Sequence, residues 1–547
     1  MKYMKMIIIP LVTVLLILPI QGFPENDYQD ISDNGKMIFE VYKRVMTHYA
    51  DQVDAKKLAE AGIEGMLSKL DPYTVLLQPE DRQGLDLLTK GKYGGVGIQL
   101  GLRDDTLTVI APMEGGPAIR SGIMSGDRII GIDGNSTSEM NLNEAAKSIR
   151  GKKGTIVVLT IARYGETEPL DFELRRDNIT VEDITYADFI GEDIAYIRLT
   201  RFSRNSASDM KKSLQNLSDQ GMEKLIIDLR GNPGGLLEAA IDILELLIPA
   251  GHDLLFTRGR YNEASKEFRS GRSPIISEDL SLVILIDGGS ASASEIISGA
   301  VQDLDRGIII GTPSFGKGLV QSVFPIDKEN SIKITTAKYY IPSGRFIQRP
   351  GYLEEEIDIG PEHDSTKVFN TVGGREVTEL GGITPDIEVE MSSTPVLARE
   401  CWRRGLFFKY ASLYMQNHEL VLPVIVDDEI LEDFRGFLSS KELTLNLEGE
   451  KQFRTLLTSI DSTAAAAPIM KSSLETIEHY YDDLKAERFD IERDGLILGL
   501  EREFSFQLGG TEARIASSFD DDRVILKAID VLSDQITYDS VLTPSEY

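Results

Sequence analysis

Apolar residues recur at helical spacing near the start of the chain, at Ile38, Val41, Tyr42, Val45 and Tyr49 and again at Leu58, Ala61, Met66, Leu67 and Leu70. Each set falls on one face of a helix that turns every ~3.6 residues, so two amphipathic helices are expected. Asp71-Pro72 stops the second, because proline cannot continue a helix and biases the residue before it towards extended backbone. From Tyr93 the texture changes to short alternating runs punctuated by glycine: "GVGIQLGL", "LTVIAP", "DRIIGIDG", "GTIVVLTIARYG" and "PLDFELRRD". These read as strands of a compact β-rich module ending near Arg176. It holds one helix, Asn141 to Gly151, with a polar start and a glycine stop.

Beyond the module, continuous apolar runs alternate with helical patterns. "IAYIRLTRF" precedes a helix from Ala207 to Gln220, "KLIIDLRGNPGG" one from Leu236 to Leu247, and "LVILIDGG" one from Ala293 to Leu304; "GIIIGTPSFGKG" follows. Strands that are apolar throughout, joined by helices, predict a parallel sheet covered on both faces. Ligands of such sheets gather at the carboxyl ends of the strands, where the glycine-rich turns at Gly231, Gly288 and Gly316 all fall. From about Thr394 strand signals give way to helical spacing, as at Ile430, Phe434 and Phe437, with acidic runs ("VDDEILEDF", "SSFDDDR"). The acidic runs read as solvated helix faces rather than metal ligands.

Composition narrows the function classes. At 547 residues, 41% hydrophobic and 27% charged, the chain is an ordinary globular protein of several domains. A formal net charge of -30 argues against a nucleic-acid partner, whose phosphates need a basic surface. The single Cys401 excludes an internal disulfide. Two lysines followed by an apolar run from Met6 to Ile20 fit the core of an export signal, being short for a span of about 20 residues. Residues 1–22 are therefore expected to be a signal peptide or an uncleaved N-terminal anchor.

Two motifs carry chemistry. "GTPSFGKG" meets part of the phosphate-loop pattern, but Gly318 stands where a Ser or Thr must bind magnesium. The following "LVQSVFPI" reads as a strand where that loop must open a helix, so a nucleotide is not expected. If the stretch is extended, Lys317 and Gln321 share a face. In "IDGGSASASEIISG", Ser292-Ala293-Ser294-Glu295 fits a capping box, which alone accounts for a serine there. A helix start beside a Gly-Gly turn also suits an attacking hydroxyl, since free N–H groups and the helix dipole stabilise an oxyanion. Spacing does not decide between capping and catalysis, and none of the five histidines (His48, His252, His363, His418, His479) lies in a loop that looks catalytic.

Taken together, "GGSASASEI", "GTPSFGKGLVQ", "YYIPSGRFIQ", "GGITPDIEV", "DLRGNPGG" and "LDPYT" make residues 30 to 390 resemble the C-terminal processing peptidases, also called tail-specific proteases. The resemblance implies Ser292 as nucleophile, Lys317 as its base and Gln321 orienting the lysine. It implies an oxyanion hole from the N–H of Ala293 and that of a glycine of the Asn-Pro-Gly-Gly turn, Gly234 or Gly235. A lysine serves as base near neutral pH only when desolvation lowers its pKa.

The β-rich module resembles a PDZ domain, with "YGGVGIQL" as the carboxylate-binding loop. That implies a free C-terminal carboxylate held by the N–H groups of Gly95, Val96, Gly97 and Ile98 while the peptide adds a strand to the sheet edge.

The expected fold is α/β and multidomain: a crotonase-like protease core with an inserted PDZ domain, N-terminal helices and a helical C-terminal extension. The expected boundaries are 23–90 for the N-terminal helices, 91–177 for the PDZ domain, 178–393 for the core and 394–547 for the extension, in which no motif is tied to chemistry and which the resemblance implies is a family-specific appendage. The expected function is serine endopeptidase cleavage of exported proteins near apolar C-terminal tails, by an enzyme that is itself exported to the periplasm or cell envelope. Neither cofactor nor metal is expected; a homo-oligomer is left open, and membrane contact is expected only through an uncleaved leader. The contrasting reading is a non-catalytic scaffold that binds protein C-termini.

Overall fold

The computed structural model describes residues 25–78, 91–459 and 468–543, except 104–105, 114, 164–165, 329, 350–366, 380, 391–393, 442, 444 and 446. The expected leader at 1–22 lies outside them. Helices α1 (Glu25–His48) and α2 (Ala55–Leu67) form as the periodicity predicts, with Asp54 capping α2 through the N–H groups of Lys56 and Lys57. Much of their apolar face is not buried: Ile38, Val41, Tyr49, Met66 and Leu70 are exposed. The chain then turns at Asp71-Pro72 into β1 (Val75–Leu77).

The β-rich module runs through β2 (Lys92–Gly95), β3 (Ile98–Arg103), β4 (Thr106–Pro112), short α3 (Pro117–Arg120), β5 (Arg128–Ile132), β6 (Asn135–Ser136), α4 (Leu142–Ile149), β7 (Ile156–Ala162), β8 (Leu170–Arg175) and β9 (Asp177–Thr180). Its main sheet has the order β3-β4-β5-β7-β8, with β3 at the edge. Alternate residues point inward, as in the buried Val157, Leu159 and Ile161 of β7, and close a separate core. Asn141 and Glu144 make the capping box that starts α4. Arg176, expected at the module's end, is buried and donates to the carbonyls of Ser148, Ile149 and Ile156. Chain entry and exit meet where Val181 N–H bonds Gly91 O.

The rest of the chain to residue 390 comprises β10 (Ile184–Ile190), β11 (Ile194–Leu199), α5 (Ser206–Asp219), β12 (Lys224–Asp228), α6 (Leu237–Leu247), β13 (Asp253–Arg258), β14 (Lys266–Arg269), β15 (Ser281–Ile286), α7 (Ala293–Asp303), β16 (Ile308–Gly311), β17 (Leu319–Pro325), β18 (Ser331–Tyr340), β19 (Val368–Asn370), β20 (Glu376–Thr378) and β21 (Ile387–Glu388). The central sheet has the order β10-β11-β12-β15-β16-β21, parallel from β11 onward. Odd and even positions of its strands enter different cores. Ala195, Ile197, Leu225, Ile227, Leu282 and Ile284 pack with α5, α6 and α7. Tyr196, Ile226, Val283, Leu285, Ile308 and Ile310 face the other way. A second sheet is organised by the long β18, which pairs with β1, β17 and β13 and so brings the N-terminal segment beside the glycine-rich turns.

The C-terminal region is helical, as expected: α8 (Val396–Arg403), α9 (Leu406–Tyr414), α10 (Asp428–Ser439), α11 (Glu450–Ser459), α12 (Pro468–Ala486), α13 (Arg488–Ile491), α14 (Arg493–Ala516), α15 (Arg523–Ser533) and α16 (Gln535–Leu542). It is not an appendage. Val524, Ile525, Ala528, Val531 and Leu532 of α15 and Tyr538 of α16 cover the second face of the central sheet. The helices α8, α9, α10 and α14 close their own core around Phe407, Tyr410, Phe434 and Phe504. The region also touches the β-rich module: Phe408 and Ser412 lie over Gly126, and Gly405 lies against Arg103.

The acidic runs divide. Asp427, the cap of α10, and Asp428, Glu429, Glu432 and Asp433 along it are exposed, as expected of a solvated face, whereas Asp521 and Asp522 are partly buried and pair with Arg502 and with Arg230 of the turn after β12. Among the described residues no helix is long and apolar enough to cross a membrane.

Candidate active site

The three glycine-rich turns leave the carboxyl ends of β12, β15 and β16 and are tied to one another. Gly231 N–H and Gly289 N–H both donate to the Asp287 carboxylate, Ala291 N–H bonds Asn232 O, and Phe315 N–H bonds Ser290 O. Of the three alternate serines, two are structural. Ser290 Oγ donates to Leu229 O and Ser294 Oγ to Asn232 O, and both side chains are buried.

Ser292 differs. It immediately precedes α7 and holds φ 55°, ψ -111°, a conformation that side-chain-bearing residues rarely adopt and that persists only where its surroundings impose it. The imposing group is Glu295, as the capping-box spacing predicts. Its carboxylate accepts Ser292 N–H at 2.7 Å and Lys317 N–H at 2.9 Å through one oxygen, and Ser314 Oγ and Gly316 N–H, both at 2.6 Å, through the other. One carboxylate thus ties the backbone of the serine turn to that of the lysine turn. Burial pushes its pKa up to about 7, against the pull of those four donors. A second clamp is the buried Tyr339 hydroxyl, which donates to Lys317 O at 2.6 Å with Ser292 O at 3.2 Å.

The chain past Lys317 enters β17, not a helix, which removes the phosphate-loop reading. The lysine ammonium lies over the Tyr73 ring, 4.3 Å from its centre. Desolvation by this enclosure, helped by Lys333, lowers its pKa to about 8, although Glu295 and Asp71 pull the other way. Tyr73 belongs to the "LDPYT" segment, which Asp71 folds by accepting the N–H groups of Tyr73 and Thr74 and the Thr74 hydroxyl. Tyr73, Glu295 as a carboxylate tie and Tyr339 had no assigned role in the sequence reading, although each lies within a stretch that carries the resemblance.

Gln321 lies on β17 but turns elsewhere: its amide donates to Thr335 Oγ1 at 3.2 Å, and Thr335 passes the contact on to Asp71 at 3.1 Å. Among the described residues no hydrogen bond joins Gln321 to Lys317, or Lys317 to Ser292. The lysine-orienting contact expected of Gln321 is therefore absent here.

The N–H of Ala293, first in α7, is left over by the helix, as an oxyanion donor must be. Gly234 sits against it, with φ +94°. A Cβ there would lie 2.6 Å from Ala291 O and 2.9 Å from both Ala293 N and Ser292 Cβ. Yet Gly234 N–H, expected in the oxyanion hole, donates to Asn232 Oδ1 at 2.9 Å, because the asparagine side chain folds over its own turn. Among the described residues the N–H of Gly235 has no partner, and its backbone runs against Phe202, whose carbonyl accepts Leu236 N–H.

In the β-rich module, Gly95 ends β2, Val96 and Gly97 form the turn, and Ile98 opens the edge strand β3. The carbonyls of Val96 and Gly97 are taken by Ala118 and Met113. Between β3 and α4 lies a cavity of about 260 Å³ lined by Tyr93, Val96, Gly97 and Ile98 on one side and Leu142, Ala146, Ile149 and Arg150 on the other. The Arg150 guanidinium lies 5.0 Å from the Tyr93 ring centre.

Among the histidines, the rings of His418 and His479 bond carbonyls one turn earlier in the chain, and His363 lies outside the described residues. Among the described residues no group of three or more His, Cys, Asp and Glu is placed to hold a metal ion.

Comparison with known proteins places the chain in a family. Peptidase family S41 matches residues 193–358, a PDZ domain 86–162, the C-terminal helical domain of a probable PDZ-protease 397–532, and the N-terminal domain of the activating protease CtpB 22–81. The carboxy-terminal-processing protease of Bartonella bacilliformis is 35% identical over 371 residues, 67% of this chain and 84% of that protein. The carboxyl-terminal-processing protease of Synechocystis is 38% identical over 344 residues, 61% of this chain and 80% of that protein. A solved photosystem II D1 C-terminal processing protease aligns at 23% identity with a TM-score of 0.37, covering 67% of this chain and 91% of that one. The chain belongs to the carboxyl-terminal-processing proteases of peptidase family S41 and carries a PDZ domain.

Proposed function

We propose that the chain is an exported serine endopeptidase that captures protein C-termini in its PDZ domain, residues 91–177, and cleaves them with a Ser292–Lys317 dyad on a crotonase-like core, residues 178–393. The observation that carries this reading is the pairing of Ser292, held at positive φ before a helix N-terminus, with a desolvated lysine whose backbone is tied to the same buried carboxylate. Ser292 Oγ attacks the scissile carbonyl while the neutral Lys317 amine takes its proton. The oxyanion forms at Ala293 N–H, with the second donor from the Asn-Pro-Gly-Gly turn: Gly235, or Gly234 once it exchanges its bond to Asn232. The Lys317 ammonium then protonates the leaving amine, and water, deprotonated by the same lysine, hydrolyses the ester. The dyad hydrogen bond and a contact from Gln321 to Lys317 form on substrate binding, since catalytic contacts are often loose in the free enzyme.

Capture is supported by the edge position of β3, which among the described residues pairs on one side only, beside a cavity of mixed apolar and polar lining that includes Arg150. A peptide laid as a sixth main strand would put its carboxylate at the N–H groups of Gly95 to Ile98 and its last side chain in the cavity. The experiment is cleavage of an unstructured reporter with an apolar C-terminus by the parent and by Ser292→Ala. Cutting by the parent alone, slowed when the reporter's C-terminus is amidated, is the expected result. Equal cutting by both rejects the serine, and binding without cutting by either favours the scaffold.

A further inference from the structure

The turn beside Ser292 is anchored on its far side by the C-terminal extension. Arg230, in the turn that leads to Gly234 and Gly235, is almost wholly buried. It donates through Nε and Nη2 to Asp228, at 3.0 and 2.7 Å, and through Nη1 to both oxygens of Asp522, at 3.0 and 2.9 Å. Asp228, fully buried, also accepts the Tyr196 hydroxyl at 2.6 Å and Arg198 Nη1 at 2.8 Å. Two arginines therefore face two aspartates, and Asp522 supplies the second negative charge. Phe519, three residues earlier in the same loop, packs edge-on against Tyr196 with ring centres 5.1 Å apart and covers the cluster.

Asp522 has a second task, which separates the two ways it can act. Through the same carboxylate it caps α15, accepting Val524 N–H at 3.0 Å. Capping needs only a short side-chain acceptor, whereas charge pairing with Arg230 through both oxygens needs a carboxylate.

We propose that Asp522 is a positioning residue for the peptidase reaction: by pairing with Arg230 it sets the Asn-Pro-Gly-Gly turn against Ser292 and Ala293. Removing the charge leaves Arg230, itself almost wholly buried, sharing the single Asp228 with Arg198, and Arg230 shifts towards the partly exposed rim of the cluster. That displacement is passed to Gly234, whose Cα approaches the serine too closely to carry a side chain. A shift of about 1 Å at an oxyanion site costs on the order of a hundredfold in rate. The proposal rests on the Ser292 reading above.

The test uses the full chain and the unstructured reporter with a free apolar C-terminus, with kcat and KM measured separately and Tm recorded for each variant. Asp522→Asn and Asp522→Ser keep a capping acceptor and lose the charge. Asp534→Ser makes the matching change at the cap of α16, where among the described residues no arginine pairs with the carboxylate. Expected is a kcat about ten- to a hundredfold lower for both Asp522 variants, with KM within about twofold of the parent and Asp534→Ser turning over like the parent. Parent-like kcat in either folded Asp522 variant, a loss confined to KM, or an equal loss in Asp534→Ser overturns the proposal. Should Asp522→Ser fail to fold, Asp522→Asn, closer in shape, decides alone. Ser292→Ala in the same assay keeps the two readings apart: activity surviving there rejects the nucleophile, whatever Asp522 does.

Discussion

The two faces of the central sheet are covered in opposite ways. On one face, α5, α6 and α7 each follow the strand they help to cover, so local chain order determines their position. On the other, the cover is α15 and α16, whose Tyr538 hydroxyl bonds the Leu282 backbone from 256 residues away in sequence. The near face carries the proposed reacting groups, Ser292 and Lys317, at its helix start and turns; the far face carries Asp522 and its arginine. The comparison teaches that a segment resembling an added tail is the missing layer of a three-layer core. A sheet with two apolar faces needs both layers.

The largest expected effect follows from that layer. Deleting residues 394–547 uncovers Val283, Leu285, Ile308 and Ile310, and the remaining chain should aggregate rather than form an active core. Soluble, folded, active protein after that deletion, seen by size-exclusion chromatography and reporter cleavage, would break the comparison.

A finer probe sets one leucine from each face against the other. Leu244→Ala in α6 and Leu532→Ala in α15, both buried, should each cost about 2–5 kcal/mol in denaturant unfolding. A loss near zero for Leu532→Ala alone would make the far layer a loose cover.

At the turn between the faces, Gly234→Ala introduces a methyl 2.6 Å from Ala291 O at a residue held at φ +94°. The turn must move, and kcat should fall on the order of a hundredfold with reporter affinity retained. Unchanged kcat would show that the close approach of Gly234 to Ser292 has no part in the reaction. The smallest effect belongs to the part of the extension remote from the sheet. Asp427→Ala removes the cap of α10 and should lower stability by about 1 kcal/mol while leaving kcat as it was.

The sequence exposed the near face well and the far face poorly, for a physical reason. Helices between strands are placed by connectivity, and the observed spans Ser206–Asp219, Leu237–Leu247 and Ala293–Asp303 lie within a residue of those read from periodicity. Runs such as "LVILI" announced that both faces are buried, but no local pattern says which distant helix covers the second. "SSFDDDR" looked like solvated acid because Arg230, the partner of Asp522, is 292 residues away in sequence. Within the site, Ser292, Lys317 and Glu295 were legible as residues. The capping-box spacing found Glu295, but its hold on the lysine turn depends on a contact 22 residues away. Tyr73 under the lysine depends on β1 pairing with β18, which no spacing encodes.

The central claim is that a lysine made neutral by burial activates Ser292. A base must be deprotonated to accept the serine proton, so a Lys317 pKa lowered to about 8 makes activity rise with pH through that value. Glu295, pushed up to about 7, ionises just below that range and acts in the same direction, because only the carboxylate accepts all four of its donors. The most direct measurement is kcat/KM for the reporter from pH 6 to 9.5, for the parent and for Lys317→Ala. The account predicts a parent profile that climbs through about pH 8 and then levels, with Lys317→Ala lower by about a thousandfold or more at every pH. A flat or falling parent profile, or a Lys317→Ala variant that keeps the parent's rate and its climb, would contradict it.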